Sequence, residues 1–454
     1  MRTLILAALL AAPAGAQTNL DRESQDRSRR GGAEQKAAET AEKAVITAPD
    51  EVTFEQVLKN PADLDLNERY AREQIDRGDL RGAAVTLERI LILAPGRDRT
   101  RLLYAAVLYR LDALVDSERE LRVIIGRLAP AEVIAEANAY LKLIDGRKRK
   151  THFTVRAALG YGYDDNRNAA SDTDRVLFLG SPVLLSPDSR RRDDTSVVFA
   201  GGLGVTRDFG GAKPQKAFAN FGYYRGEQTL INTLDLQAYS ASGGFALRGF
   251  GFELTPAAGY DQVLLSQSTY LRNVWQSLRL SRRVRPRLEL WGEARREDQR
   301  FQNTRLVRNG VDRKGDQYDF ALGASWVASP RDRWGFSIGH RRKLAEAVAS
   351  AYRRESIGVD YTRLLGRGMF LATSVTGQFD RYDRPDTAIS TDGRSDDAVV
   401  TNLLFGAPLT LLWSPLKGFT GTLGWERFSQ HSNLLNYTYS NNRLTALVSY
   451  KWGI

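Results

Sequence analysis

From residue 151 to the last residue the chain alternates apolar and polar side chains with a period of two. It does so in segments of about ten residues, the length a tilted strand needs to cross a hydrocarbon layer. Tyr318, Phe320, Leu322, Ala324 and Trp326 alternate with Gln317, Asp319, Ala321, Gly323 and Ser325. Leu444, Ala446, Val448, Tyr450 and Trp452 alternate with Thr445, Leu447, Ser449, Lys451 and Gly453 in the same way. A helix cannot carry this pattern, because its faces recur every 3.6 residues. A water-soluble sandwich could, so the connections have to decide.

About fourteen such segments begin near Phe153, Thr195, Lys216, Leu234, Phe250, Tyr270, Pro286, Asp316, Asp332, Arg353, Met369, Asp397, Lys417 and Tyr437. Short connections, such as those at Leu247, Ser281, Ser329, Leu364 and Ser414, alternate with long ones at 164–194, 298–315 and 380–396. Outer-membrane barrels keep short turns on the periplasmic side and long loops outside. An even strand count puts every long loop of this chain on one side, which a soluble propeller has no reason to do. The fold class expected is therefore α + β multidomain: a small N-terminal helical domain, then a transmembrane antiparallel β-barrel of about 14 strands over residues 151–454. The polar face of the strands would line its lumen, with Glu253, Asp261, Arg295, Asp319 and Asp360 as candidate lumen residues.

Composition narrows the function classes. A mean hydropathy of -0.38 is compatible with a barrel, whose two faces average out, and no mature stretch is apolar enough for a membrane helix. The absence of cysteine removes disulfides, thiolate zinc sites and thiol nucleophiles. The net charge of +11 is spread through the chain among acids, without a basic block or a nucleic-acid motif, so no nucleic-acid partner is expected.

The first residues read as an export signal: Arg2, an apolar run from Leu4, then Ala14 and Ala16, with cleavage between Ala16 and Gln17. Residues 17–50 are polar and mixed in charge, and are read as a mobile arm. Residues 51–146 change to helical spacing with a self-similarity of about 34 residues, similar to tetratricopeptide units. Ala71, Gly78, Ala83, Leu87 and Pro95 mark the first unit and Tyr104, Ala105, Leu108, Leu121 and Ile124 the second, with a closing helix near 131–144. On that alignment Asp65, Glu68, Arg72, Arg99 and Tyr109 would face a partner groove; the bland alternative is that the helices only brace the next domain.

No catalytic or metal site is expected. The three histidines, His152, His340 and His431, lie on different segments, and no nucleophile motif is visible. Asp164, Asn166 and Asn168 have a calcium-loop spacing, but Ala169 and Arg175 occupy the positions where such a loop needs Gly and Glu.

An export signal, a compact repeat domain and a barrel of this size, whose first strand reads VRAALGYGYDDNRN, together resemble the surface lipoprotein assembly modifier family. The most specific element is the barrel-start motif Gly160, Tyr161, Gly162, Tyr163, Asp164, Asp165 and Asn166; read from the residues alone, its Asp and Asn simply turn the chain at a membrane surface. The resemblance implies an outer-membrane translocon with its N-terminal domain in the periplasm. Its clients would be surface lipoproteins or small secreted proteins, its partners the barrel assembly machinery, periplasmic chaperones and outer-membrane lipid, and it would need no cofactor. An exopolysaccharide exporter and a passive porin remain as rival readings.

Overall fold

In a computed structural model, which describes residues 52–127, 129–210 and 215–453, the chain divides into two compact units between Arg149 and Lys150. The signal at 1–16 and the arm at 17–50 lie outside the described residues.

The first unit has six helices among the described residues: α1 Phe54–Lys59, α2 Leu64–Asp76, α3 Leu80–Leu93, α4 Asp98–Arg110, α5 Leu114–Gly126 and α6 Ala131–Lys148. Their starts are written in the sequence. Thr53 and Gln56 form a reciprocal cap on α1, and the carboxylates of Asp63 and Asp79 accept N–H bonds at the starts of α2 and α3. Gly78 takes φ +83°, a left-handed conformation that suits glycine, and turns α2 into α3. Ala71 and Ala83 are fully buried and let these two helices approach closely around Leu87 and Ile90. A second cluster joins α4, α5 and α6 through Leu102, Ala105, Leu121, Ile124, Ala137 and Ile144. Helix α6 runs through Gly146 to Lys148, beyond the end read from the sequence.

The second unit is a closed barrel of fourteen antiparallel strands. They are β1 Thr151–Asp164, β4 Asp194–Asp208, β5 Lys216–Gln228, β6 Leu236–Gly249, β7 Phe252–Leu265, β8 Ser268–Arg285, β9 Leu288–Phe301, β10 Gly315–Val327, β11 Asp332–Lys343, β12 Tyr352–Leu364, β13 Phe370–Tyr382, β14 Ser395–Pro408, β15 Phe419–Ser432 and β16 Tyr439–Gly453. Each strand pairs with its neighbour in sequence, and β1 pairs with β16 to complete the ring. A closed ring leaves no edge strand to recruit other chains. The outer wall carries Leu159, Leu322, Ile338 and Leu423, each between 57% and 61% exposed, with Trp326 and Trp452 toward strand ends. An apolar surface of this extent is stable only in contact with hydrocarbon, which makes the barrel a transmembrane one.

All three long loops leave the same end, here the loop end; the opposite one is the turn end. The lengths do not alternate strictly between short and long: the loop-end connections 229–235 and 433–438 are no longer than 209–215 at the turn end. Ser266 and Gln267 alone join β7 to β8 at the loop end, both at positive φ (45° and 66°), as a type I′ hairpin turn requires. Residues 409–418 form an extended connection at the turn end. The first loop also contains an unforeseen hairpin, β2 Arg175–Phe178 and β3 Ser181–Leu184.

Candidate functional site: the barrel interior and its seam

Alternation along the strands sends every second side chain inward, and these inward residues fall into two zones. Toward the loop end they are buried: Asp194, Val198, Leu236, Asp261, Val263, Leu271, Lys343, Asp380 and Asp396 among them. Toward the turn end most are half-buried, as at Ser277, Glu293, Ser337 and Thr422, or exposed, as at Arg156, Asn220 and Arg248, with Ala246, Gly335 and Gly406 buried. The loops themselves supply the packing. Ala170 and Ser171 from the first loop, Leu234, Val307, Ala351, Ser390 and Leu434 from five others are all buried. The β2–β3 hairpin is tied in by backbone bonds from Leu179 N–H to Ala388 O (3.0 Å) and from Gly180 N–H to Ile389 O (2.8 Å), and Asn436 bonds both backbone groups of Leu177.

Several charges within the packed zone are paired with opposite charges, and others, such as Lys343 on Gly315 O and Asp194 on the N–H groups of Leu230 and Ile231, are held by backbone. Arg354 donates to both oxygens of Asp380 (2.5 and 2.7 Å), and Arg341 donates to Asp319 (2.5 Å). Arg394 reaches Asp396 (3.0 Å) and lies over the rings of Tyr382 (4.4 Å) and Tyr437 (3.3 Å). A buried guanidinium needs such partners, since an isolated buried charge costs several kcal/mol. Sequence reasoning missed this group. Strand parity would have put Arg341, Arg354 and Asp380 on the inner face, but nothing local marks Arg394, which comes from a loop.

All five candidate lumen residues project inward, at different depths. Glu253 takes a bond from Arg248 (2.5 Å) near the turn end, and Asp360 lies deeper, against Gly335. Arg295 bonds Glu297 (2.6 Å) and covers the Trp275 ring (4.2 Å). Asp261 is buried and accepts from Asn273 (3.2 Å), and Asp319 is the partner of Arg341. They form a spread lining, not one cluster.

The barrel-start motif sits on the seam between first and last strands. Gly160 faces β16 so closely that a Cβ there would lie 1.9 Å from the carbonyl oxygen of Ala446. Tyr161 and Tyr163 point outward and are exposed. Above them Asp164, Asp165 and Asn166 do more than turn the chain. Asn442 gives its backbone N–H and its amide to Asp165 (both 2.8 Å), Asn441 gives its amide to Asp164 (2.6 Å), and Asn166 gives its amide to Ser440 O (2.9 Å). These bonds clasp the two chain ends of the barrel together. Asn168, the remaining residue of the calcium-like spacing, bonds Arg190 O and the Arg192 N–H, so its side chain is engaged within the loop.

Partial burial acts to raise the Asp165 pKa, but the two bonds from Asn442 and the charge of Arg191 outweigh it, and the carboxyl lies below its usual range. A folded-state pKa below the unfolded one gives stability that is full above the unfolded value, about 3.9, and is lost as pH falls through the folded value. The clasp is therefore expected to loosen below about pH 4. Hydrogen exchange at the Asn442 amide, faster in acid than the intrinsic rate change explains, checks this; Asp165→Asn should remove the pH dependence.

In the helical unit, Asp65, Glu68 and Arg72 come together on α2. Arg97 bonds Asp65 (2.7 Å), Arg72 bonds Glu68 (2.8 Å) and Thr100 donates to Glu68 (2.6 Å). Burial opposes the charge on Glu68, yet the bonds from Thr100 and Arg72 prevail and hold its pKa down. Arg99 is exposed. Tyr109 corrects the groove read from the sequence: it is only 6% exposed and packs edge-on against Tyr140 (5.8 Å) within the α4–α6 core, so it lines no open surface. The repeat alignment placed it by position alone, whereas α6 covers that face.

No protein-family model matches the chain, and no curated protein matches it. Solved structures that align with it include OmpT, an outer membrane protein of Vibrio cholerae, in a loop-deleted form (8% identity, 67% of this chain, 100% of that one, TM-score 0.39). Others are an anion-selective porin from Comamonas acidovorans (8%, 66% and 99%, TM-score 0.35) and OccAB4 of Acinetobacter baumannii (8%, 67% and 99%, TM-score 0.33).

Proposed function

We propose that this chain is an outer-membrane channel that conveys specific client proteins, surface lipoproteins or small secreted proteins, from the periplasm to the cell surface. The supporting observation is the asymmetry of the barrel interior: a wet, charged half at the turn end, where the chain enters from its helical unit, and a packed half under the loops. A passage that must stay shut between clients needs such a seal, and a helical repeat unit suits the recruitment of a polypeptide. The loop end faces outward in this reading, and the helical unit is periplasmic.

Surface and medium proteomes of cells with and without the protein test the reading. Selective loss of one or two proteins is the expected result; loss of a surface polymer with unchanged proteins would assign the barrel to polysaccharide export. A passive porin draws on the same charged, wet half, and steady conductance of the pure protein in bilayers would favour it. Deleting residues 64–144 should abolish client delivery while leaving the barrel assembled. Unchanged delivery would refute recruitment by the helices.

A further inference from the structure

On the membrane-facing wall one lateral row of paired residues crosses seven strands, β7 to β13: Ala258, Gln276, Arg296, Tyr318, Arg342, Arg353 and Arg381, each directly opposite the next. The row begins midway along β7 and ends at the loop-end tip of β13. Arg342 bonds Asp383 (2.5 Å) and Arg381 bonds Asp397 (2.9 Å), while Arg353, standing between them, makes no ion pair among the described residues. Like charges directly opposite one another destabilise a sheet. Asp383, whose charge also acts on Arg353, and Asp397 offset only two of the three adjacent guanidiniums, so the run keeps a net positive charge that an anionic headgroup would balance.

The other end of the row opens onto a groove of about 610 Å³ on the same wall. Ala258 and Ala294 form its floor, and Phe245, Leu278, Tyr318 and Phe320 rise around it. Its origin is legible: Pro256 has no N–H to offer the ladder, and β6–β7 pairing lapses between Gly244/Ala257 and Leu247/Leu254. Arg296 lines the groove, with a side chain 58% exposed and Asp316 only loosely engaged at 3.4 Å.

We propose that this wall binds a phosphorylated lipid of the outer leaflet, with an acyl chain in the groove and phosphates on Arg296 and on the Arg342–Arg353–Arg381 run. Three strand spacings separate Arg296 from Arg353, about 14 Å, which suits a headgroup with two phosphates. Guanidinium forks match phosphate oxygens in geometry as well as charge. The proposal rests on the reading of the loop end as the outer one, and not on the conveyance of any client.

Native mass spectrometry of the full chain in neutral detergent, titrated with a diphosphoryl glycolipid, its monophosphoryl form, phosphatidylcholine or inorganic phosphate, tests it. The diphosphoryl lipid should bind best. Arg353→Gln and Arg296→Gln should each weaken it about tenfold, as the loss of one charge-assisted contact implies. Ala294→Leu, which fills the groove, should weaken both glycolipids alike. Because it relieves the arginine row, Arg353→Gln should raise the melting temperature without lipid and gain less from added lipid than the parent does. Equal retention of phosphatidylcholine, full displacement by inorganic phosphate, or unaltered binding in the variants would overturn the proposal. Lipid binding in a protein that conveys no client would leave it standing and remove only the transport reading.

Discussion

Gly160→Val is expected to leave the barrel unable to close. The nearest atoms to a Cβ at this position are the backbone oxygen of Ala446 at 1.9 Å and the Cα of Leu447 at 2.8 Å, neither of which can swing aside as a flexible side chain would. To admit even one carbon, β1 and β16 must part locally, and their pairing runs from Thr154↔Gly453 to Asp164↔Arg443. Overpacking of this kind costs about 1–3 kcal/mol in an adaptable core and more where backbone is the obstacle. Electrophoresis of unheated membrane samples checks this, because a closed barrel migrates faster than its unfolded chain. The variant should show little of the fast form, whereas Gly366→Val, where a Cβ meets nothing within 4 Å, should look like the parent.

The second large effect is expected at Arg354. Replacing it by Ala strands Asp380, which is only 4% exposed, without its two guanidinium bonds. Breaking one side of a buried pair typically costs about 3–5 kcal/mol. The double variant Arg354→Ala/Asp380→Ala should recover much of that loss, because no uncompensated charge remains. Urea unfolding in liposomes supplies the double-mutant cycle. Bilayer conductance supplies a second reading, since the single variant should loosen the loop-end packing and admit ions that the parent excludes. Equal losses in the single and double variants would show that the pair is not what seals this zone.

The barrel was legible in the sequence because lipid outside and water inside impose a strict period of two. Every barrel strand begins within two residues of the position read from the alternation, with Lys216 and Asp332 matched in full. The helical spacing gave the hairpin at Gly78 for a similar reason, since a single glycine at positive φ dictates the turn. Contacts that depend on distant parts of the chain were not legible. The β2–β3 hairpin has strands of four residues, too short for periodicity to register, and its docking partners lie more than 200 residues away in sequence. Tyr109 was misplaced because a repeat alignment fixes a position on a helix without saying which later helix covers it. Arg394 was overlooked because it reaches the packed zone from a loop.

The clasp at the seam has a bearing on biogenesis. Its two halves, Asp164 to Asn166 and Ser440 to Asn442, lie more than 270 residues apart in the chain, and the last strand is the last to be synthesised. Without β16 the ring cannot close and β1 keeps a free edge, the kind that invites pairing with other chains, and long-range closure of this sort is intrinsically slow. Completion of the ring therefore waits on β16: a chain that ends before Ser440 lacks both the last strand and the partner half of the clasp.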